Sequence, residues 1–166
     1  GPPAIFEDMS KLKTSGYFAI TNDRPKPYSF FSLKKKSGIY MITNKVNKKY
    51  YIGMTKDIFV RINNYLYVSR LIDNKSSRLH RAFLKYGFNN FSLTILEFVE
   101  HSKNTALRER EDYYIKVFKP QYNIVRSSFN LDLEKNDKYN VNKLNLITPI
   151  KIKNLLDKAL DPALLD

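Results

Sequence analysis

Ser37 to Arg61 reads SGIYMITNKVNKKYYIGMTKDIFVR. Two short apolar runs, Gly38–Thr43 and Tyr50–Thr55, flank the polar connection Asn44–Lys49. Both runs are rich in β-branched and aromatic residues, the composition of a pleated, half-buried surface. The pattern predicts a β-hairpin, with Asn47–Lys48 as its turn. A helix start follows at once. Thr55 or Asp57 can accept the first free backbone N–H groups, and apolar residues recur at Ile58, Ile62 and Leu66.

The rest of the chain is read outward from this hairpin. Residues 1–36 are interrupted by Pro2, Pro3, Pro25 and Pro27 and show weak periodicity, so they read as an N-terminal extension. A short helix is expected near Phe6–Lys13, with Phe30, Phe31 and Leu33 on the domain edge. Beyond the hairpin, one helix is expected from Asp57 to Leu71. A second, Arg78 to Tyr86, is capped by Ser76 or Ser77 and closed by Gly87. Phe91–Val99 alternates and then becomes nearly continuously apolar, as a central strand does. A helix over Thr105–Phe118 ends at Pro120, and residues 121–125 read as a short extended piece. The domain is expected to span 37–126. Residues 127–166 form a C-terminal extension with an amphipathic helix at 149–160 that could seat a protein partner.

Composition narrows the function classes. The chain has 166 residues and no cysteine, which excludes a disulfide framework and a thiolate metal site. Its two histidines, His80 and His101, are too few for a His-rich metal site. No apolar run approaches the length of a membrane span, and no apolar N-terminal signal segment is visible, so no membrane partner is expected. Lys, Asn, Ile, Tyr and Phe are abundant, which reflects A/T-rich codons and an organellar, phage or low-GC bacterial genome.

The net charge of +13 is uneven: residues 34–85 hold thirteen Lys/Arg against two Asp. A concentrated basic surface beside aromatic rings suits a phosphate backbone. A solvated basic face on an A/T-coded protein has the same composition. On the helix expected at 105–118, Glu111 falls on the stripe of Leu107, Tyr114, Ile115 and Phe118. A carboxylate aimed at the core side needs a cation or several donors. Arg61 in a structural ion pair and a metal ion are both open readings of that need.

Gly38–Ile39–Tyr40 and Tyr51–Ile52–Gly53, with ten residues between the tyrosines and Arg61 eight residues after the second glycine, resemble the GIY-YIG nuclease family. The resemblance extends from Ser37 to Val125. It takes in Lys85–Tyr86–Gly87, Asn90–Phe91, Glu109–Arg110–Glu111–Asp112–Tyr113–Tyr114–Ile115 and Lys119–Pro120–Gln121–Tyr122–Asn123–Ile124. These phrases are most similar to intron-encoded homing endonucleases of fungal mitochondria. The family implies an α/β (α+β) domain, a three-stranded antiparallel sheet flanked by helices.

It also implies a metal-dependent DNA endonuclease located in the mitochondrion. Tyr40, Tyr51, Arg61, Glu111 and Asn123 then stand at catalytic positions, and Glu111 holds Mg²⁺ or Mn²⁺. Lys45, Lys48, Lys49, Lys56, Tyr65, Arg78, His80 and Arg81 are the expected nucleic-acid contacts, with double-stranded DNA as the partner ahead of RNA. Many members carry a histidine four residues after the arginine, where this chain has Tyr65. Homing members also append a DNA-binding region that residues 127–166 do not resemble. The alternative is a nuclease-derived, non-catalytic binder in an organellar assembly such as a mitochondrial ribosome, or an intron maturase.

Overall fold

A computed structural model describes residues 3–21, 28–73, 77–100 and 104–124. The helix expected at 149–160, its partner and the extension boundaries beyond residue 124 lie outside the described residues, as does His101. Five antiparallel strands form one sheet in the order β2-β1-β5-β3-β4. They are β1 (Ala4–Phe6), β2 (Ile20–Thr21), β3 (Gly38–Asn44), β4 (Tyr50–Thr55) and β5 (Phe91–Phe98). The helices are α1 (Ile58–Tyr65), α2 (Val68–Asp73), α3 (Arg78–Tyr86) and α4 (Asn104–Phe118). None of them is long and apolar enough to cross a membrane.

The expected three-stranded antiparallel sheet is present as β5-β3-β4, and the fold is α+β. The N-terminal segment adds two strands to it. Ala4 to Phe6 pair with Ile95 to Leu93 along β5. The helix expected near Phe6–Lys13 is instead the end of β1 followed by a single 3₁₀ turn, Met9–Lys11. Asp8 caps that turn by accepting from Ser10 N. Ala4, Phe6, Met9, Leu12, Phe30 and Leu33 are all buried in the same core as the hairpin.

The helix expected over 57–71 divides into α1 and α2. Ile58, Ile62 and Tyr65 are the buried face of α1. Leu71, nine residues after Ile62, would lie about 180° round a continuous helix, yet it is buried in the same cluster. The break at Leu66 and Tyr67 turns it inward. Asn64 assists, because its side-chain oxygen accepts from the Arg70 guanidinium across the break. Of the two expected caps, Asp57 accepts from Val60 N, and Thr55 Oγ1 instead accepts from Asp57 N. Ser77 caps α3, and Gly87 closes it at φ 80°, a left-handed value that suits glycine.

The sheet separates two apolar layers. Tyr40 and Ile42 face α1, α2 and α3, whereas Ile39, Met41 and Ile52 face Leu107, Tyr113 and Tyr114 of α4. Period-2 alternation therefore explains the hairpin's spelling. The isoleucines of the two tripeptides anchor one layer, and the tyrosines point to the other. Gly38 is needed because β3 and β5 approach closely there: an added Cβ would lie 3.1 Å from Phe98 Cα.

Candidate active site

Tyr40 lies directly opposite Gly53 across the hairpin. A Cβ on Gly53 would sit 2.5 Å from Tyr40 Cζ, so the glycine makes the space that the phenol fills. Tyr40 is fully buried. Its hydroxyl is 3.0 Å from the Tyr65 hydroxyl, brought in by the last turn of α1. The Tyr40 ring also lies 6.2 Å from the ring of Tyr51 and 6.5 Å from that of Tyr65. Arg61, one turn before Tyr65, faces the Tyr40 hydroxyl.

These groups act on one another electrostatically. Burial pushes the Tyr40 phenol well above its ordinary value; the neighbouring phenols Tyr65 and Tyr51 push the same way, and Arg61 opposes them. Tyr51 is also raised, by burial first, then Tyr65 and Glu111, against Arg61. Burial alone would lower Arg61, but its phenol neighbours, with a side-chain hydrogen bond to Tyr40, shift it upward overall; a guanidinium is charged at any accessible pH in either case. Glu111 is raised by burial and by Asp112. The Met54 backbone N–H, Arg108 and Arg61 favour its charged form. Tyr40, Tyr51, Tyr65 and Arg61 thus gather in one place, and Glu111 comes near enough to act on Tyr51 and Arg61.

The free edge of β4 brings Glu111 there from the other layer. Tyr50, Ile52 and Met54 turn their backbone groups away from β3, as alternate residues of an antiparallel strand must. Tyr50 N donates to the Gln121 side-chain oxygen, and Ile52 N donates to the Asn123 side-chain oxygen. Asn123 Nδ2 donates back to Ile52 O, and Tyr122 N donates to Tyr50 O. Met54 N faces Glu111. Residues 121–123, expected as an extended piece, are a turn that uses side chains as a substitute strand. Asn123 therefore holds the strand that carries Tyr51; its amide is committed to backbone.

Gln121 and Tyr122 are site residues that the sequence reading does not single out. The two-residue spacing of 121 and 123 matches the spacing of 50 and 52 and is a usable signal. Tyr122 reaches further, accepting from the Asn44 and Asn47 side chains at 3.1 and 3.2 Å. The hairpin turn is thus tied to the turn that follows α4. Removing the amide in Asn123→Ala should leave an N–H and a carbonyl at Ile52 without partners, at a cost of about 1–3 kcal/mol. Thermal unfolding should show the loss, and an unchanged melting temperature would contradict the clamp.

The expected nucleic-acid contacts separate into groups. Lys48, Lys49 and Lys56 are exposed, with Lys48 at φ 64° in the hairpin connection. Arg78 is exposed and donates to Gln121 O at 3.2 Å, beside the β4 edge. Arg81 is exposed on α3. Lys45 is not a free surface cation. It is half-buried, and the Asp8 and Glu7 carboxylates of the N-terminal segment act on it. His80 is only partly exposed. Its ring lies 5.5 Å from that of Tyr65, its Nδ1 is buried without a hydrogen bond, and burial holds the imidazole below its usual value. Neither displacement is readable from charge or residue type, because each is set by a segment distant in the chain.

On α4, Arg110 pairs with Glu97 at 2.7 Å and lies over Tyr113 and Tyr114. Tyr113, which the expected stripe omits, is buried with Leu107 and Tyr114. Among the described residues, no three His, Cys, Asp or Glu side chains gather into a ready-made cation site. A single half-buried carboxylate does fit a hard cation that keeps several waters and takes its other ligands from a phosphate. Glu111 is that carboxylate.

Residues 36–123 match the family model described as the GIY-YIG catalytic domain. Over 92 residues the chain is 38% identical to "Probable intron-encoded endonuclease 1" of Neurospora crassa, covering 52% of this chain and 28% of that protein. Over 97 residues it is 36% identical to "Intron-associated endonuclease 1" of phage T4, covering 57% and 39%. The chain thus spans well under half the length of these curated relatives. A solved structure of the catalytic domain of homing endonuclease I-TevI is 35% identical, with a TM-score of 0.46, covering 55% of this chain and all of that one.

Proposed function

We propose that this chain, which belongs to the GIY-YIG family, is a metal-dependent DNA endonuclease of the intron-encoded homing type, working in a mitochondrial setting. The observation that carries the proposal is the gathering of Arg61 and three phenols beside the edge strand β4, with Glu111 near enough to act on two of them and exposed Lys48, Lys49, Lys56 and Arg78 on the same chain.

Hydrolysis of a phosphodiester needs a placed nucleophile and neutralisation of the charge that builds on the phosphoryl oxygens. Arg61 can donate a planar fork of hydrogen bonds to two of those oxygens. Its orientation comes from Tyr40, which is itself locked by Tyr65 and by the space at Gly53. Tyr40 has no exposed surface, so its task is to organise the arginine. Tyr51 is only partly buried and is the motif phenol that can meet a water at the phosphate. Glu111 would hold Mg²⁺ or Mn²⁺, which supplies Lewis-acid stabilisation when bound. Its raised pKa fits a carboxylate in a partly water-excluded place that gains a cation on loading.

The proposal is tested with end-labelled duplexes of DNA and RNA of one sequence, incubated with the protein and Mg²⁺. Metal-dependent cleavage of the DNA duplex is expected, with affinity falling steeply as salt rises because binding releases condensed counterions. Cleavage of RNA alone, or affinity indifferent to salt, would overturn it.

A further inference from the structure

One cationic cluster lies beside the active site without belonging to it. Tyr67 follows Tyr65 of the site by two residues, so their Cα atoms are within about 7 Å. The residue is 46% exposed in the break between α1 and α2. Two cations lie over that ring: Lys13 Nζ at 5.0 Å from its centroid, and Arg70 Cζ at 5.1 Å. Arg70 is steadied by the neutral Asn64 side chain. Lys13 comes from the N-terminal segment, ahead of the stretch matched by the family model.

The two distances to one centroid place the charges no more than about 10 Å apart, near a Debye length at moderate salt. Like charges at that separation repel, and an exposed cation–π contact offsets only about 0.5–1 kcal/mol each. A polyanion lying across them would convert the repulsion into attraction.

We propose that Lys13, Tyr67 and Arg70 form a second contact surface for the phosphate backbone of the DNA duplex that the active site cleaves, continuing its footprint from Tyr65 onto the N-terminal segment. Tyr67 sets the spacing of the two cations and Asn64 fixes the direction of one. This surface rests on the reading of DNA as the substrate. It predicts that the N-terminal segment does more than extend the sheet through β1: it lengthens the bound site.

The test is fluorescence anisotropy of a labelled duplex of about 30 base pairs with the full chain in EDTA, so that no cleavage occurs. Lys13→Gln/Arg70→Gln should lower the slope of log affinity against log salt by about 1.8, because each phosphate left unneutralised takes roughly 0.9 from that slope. Tyr67→Ala should weaken binding with both charges still present, by freeing their spacing. Lys116→Gln/Lys119→Gln, at the end of α4 on the other face of the sheet, removes the same charge. It should leave the slope within about 0.5 of wild type, because neither lysine neutralises a phosphate there.

An unchanged slope in the first variant, or an equal fall in the control, would overturn the proposal. Equal affinity and an equal fall in slope on an RNA duplex would overturn its commitment to DNA. Because binding is read without metal, a chain that proves inactive as a nuclease leaves this test standing.

Discussion

Arg61→Ala is expected to lower the single-turnover cleavage rate by about two to four orders of magnitude, with the Kd for DNA changed little. Loss of one preorganised donor to a developing oxyanion costs about this much in other hydrolytic sites. Arg61 is singled out by its surroundings. It stands on α1 one turn before Tyr65, faces a fully buried phenol, and is charged at any accessible pH. Arg61→Lys should recover only part of the activity, since an ammonium keeps the charge and loses the planar fork. A rate within about threefold of wild type for Arg61→Ala would mean that the guanidinium does not touch the reacting phosphate, because a missing transition-state donor costs far more.

Gly53→Ala is expected to damage both stability and activity. The new methyl would overlap the Tyr40 ring end, with Cζ only 2.5 Å away. Tyr40 is fully buried between the sheet and α1 and cannot move aside cheaply. Overpacking of this kind costs about 1–3 kcal/mol. Any relaxation shifts the hydroxyl that orients Arg61 and meets Tyr65. Denaturant unfolding and cleavage should therefore fall together in this variant. Tyr40→Phe combined with Gly53→Ala would relieve only the clash at the hydroxyl and should restore part of the stability without restoring activity. Wild-type stability in Gly53→Ala would remove the spatial reason for the second glycine.

Much of this site is legible in the sequence because it is built from local alternation. Gly38, Tyr40, Tyr51 and Gly53 share one face of a hairpin whose strands are seven and six residues long, enough for a period of two to show. Glu111 is legible as a carboxylate among apolar neighbours on one face of α4. β1 and β2 have only three and two residues, too few to display a period. The strand that β1 joins is β5, some ninety positions away, and proline-rich surroundings hide both short strands. Lys45 looks like its neighbours in the basic run, but Glu7 and Asp8 come beside it only through β1. The α1–α2 break is concealed by a continuous helix-like pattern; only the need to bury Leu71 on the same side as Ile62 exposes it. Asn123 is readable as a site position, yet its bonds to Ile52 depend on the edge of β4 being free.

The most direct measurement is nicking of supercoiled plasmid over a range of Mg²⁺ concentrations, with wild type and Glu111→Ala side by side at matched DNA occupancy. The predicted result is metal-dependent conversion to open circles and linear DNA by wild type, and none by Glu111→Ala despite its salt-sensitive binding. A wild-type chain that binds the plasmid tightly and leaves it supercoiled at every Mg²⁺ and Mn²⁺ concentration would contradict a working nuclease and assign the same fold to binding alone.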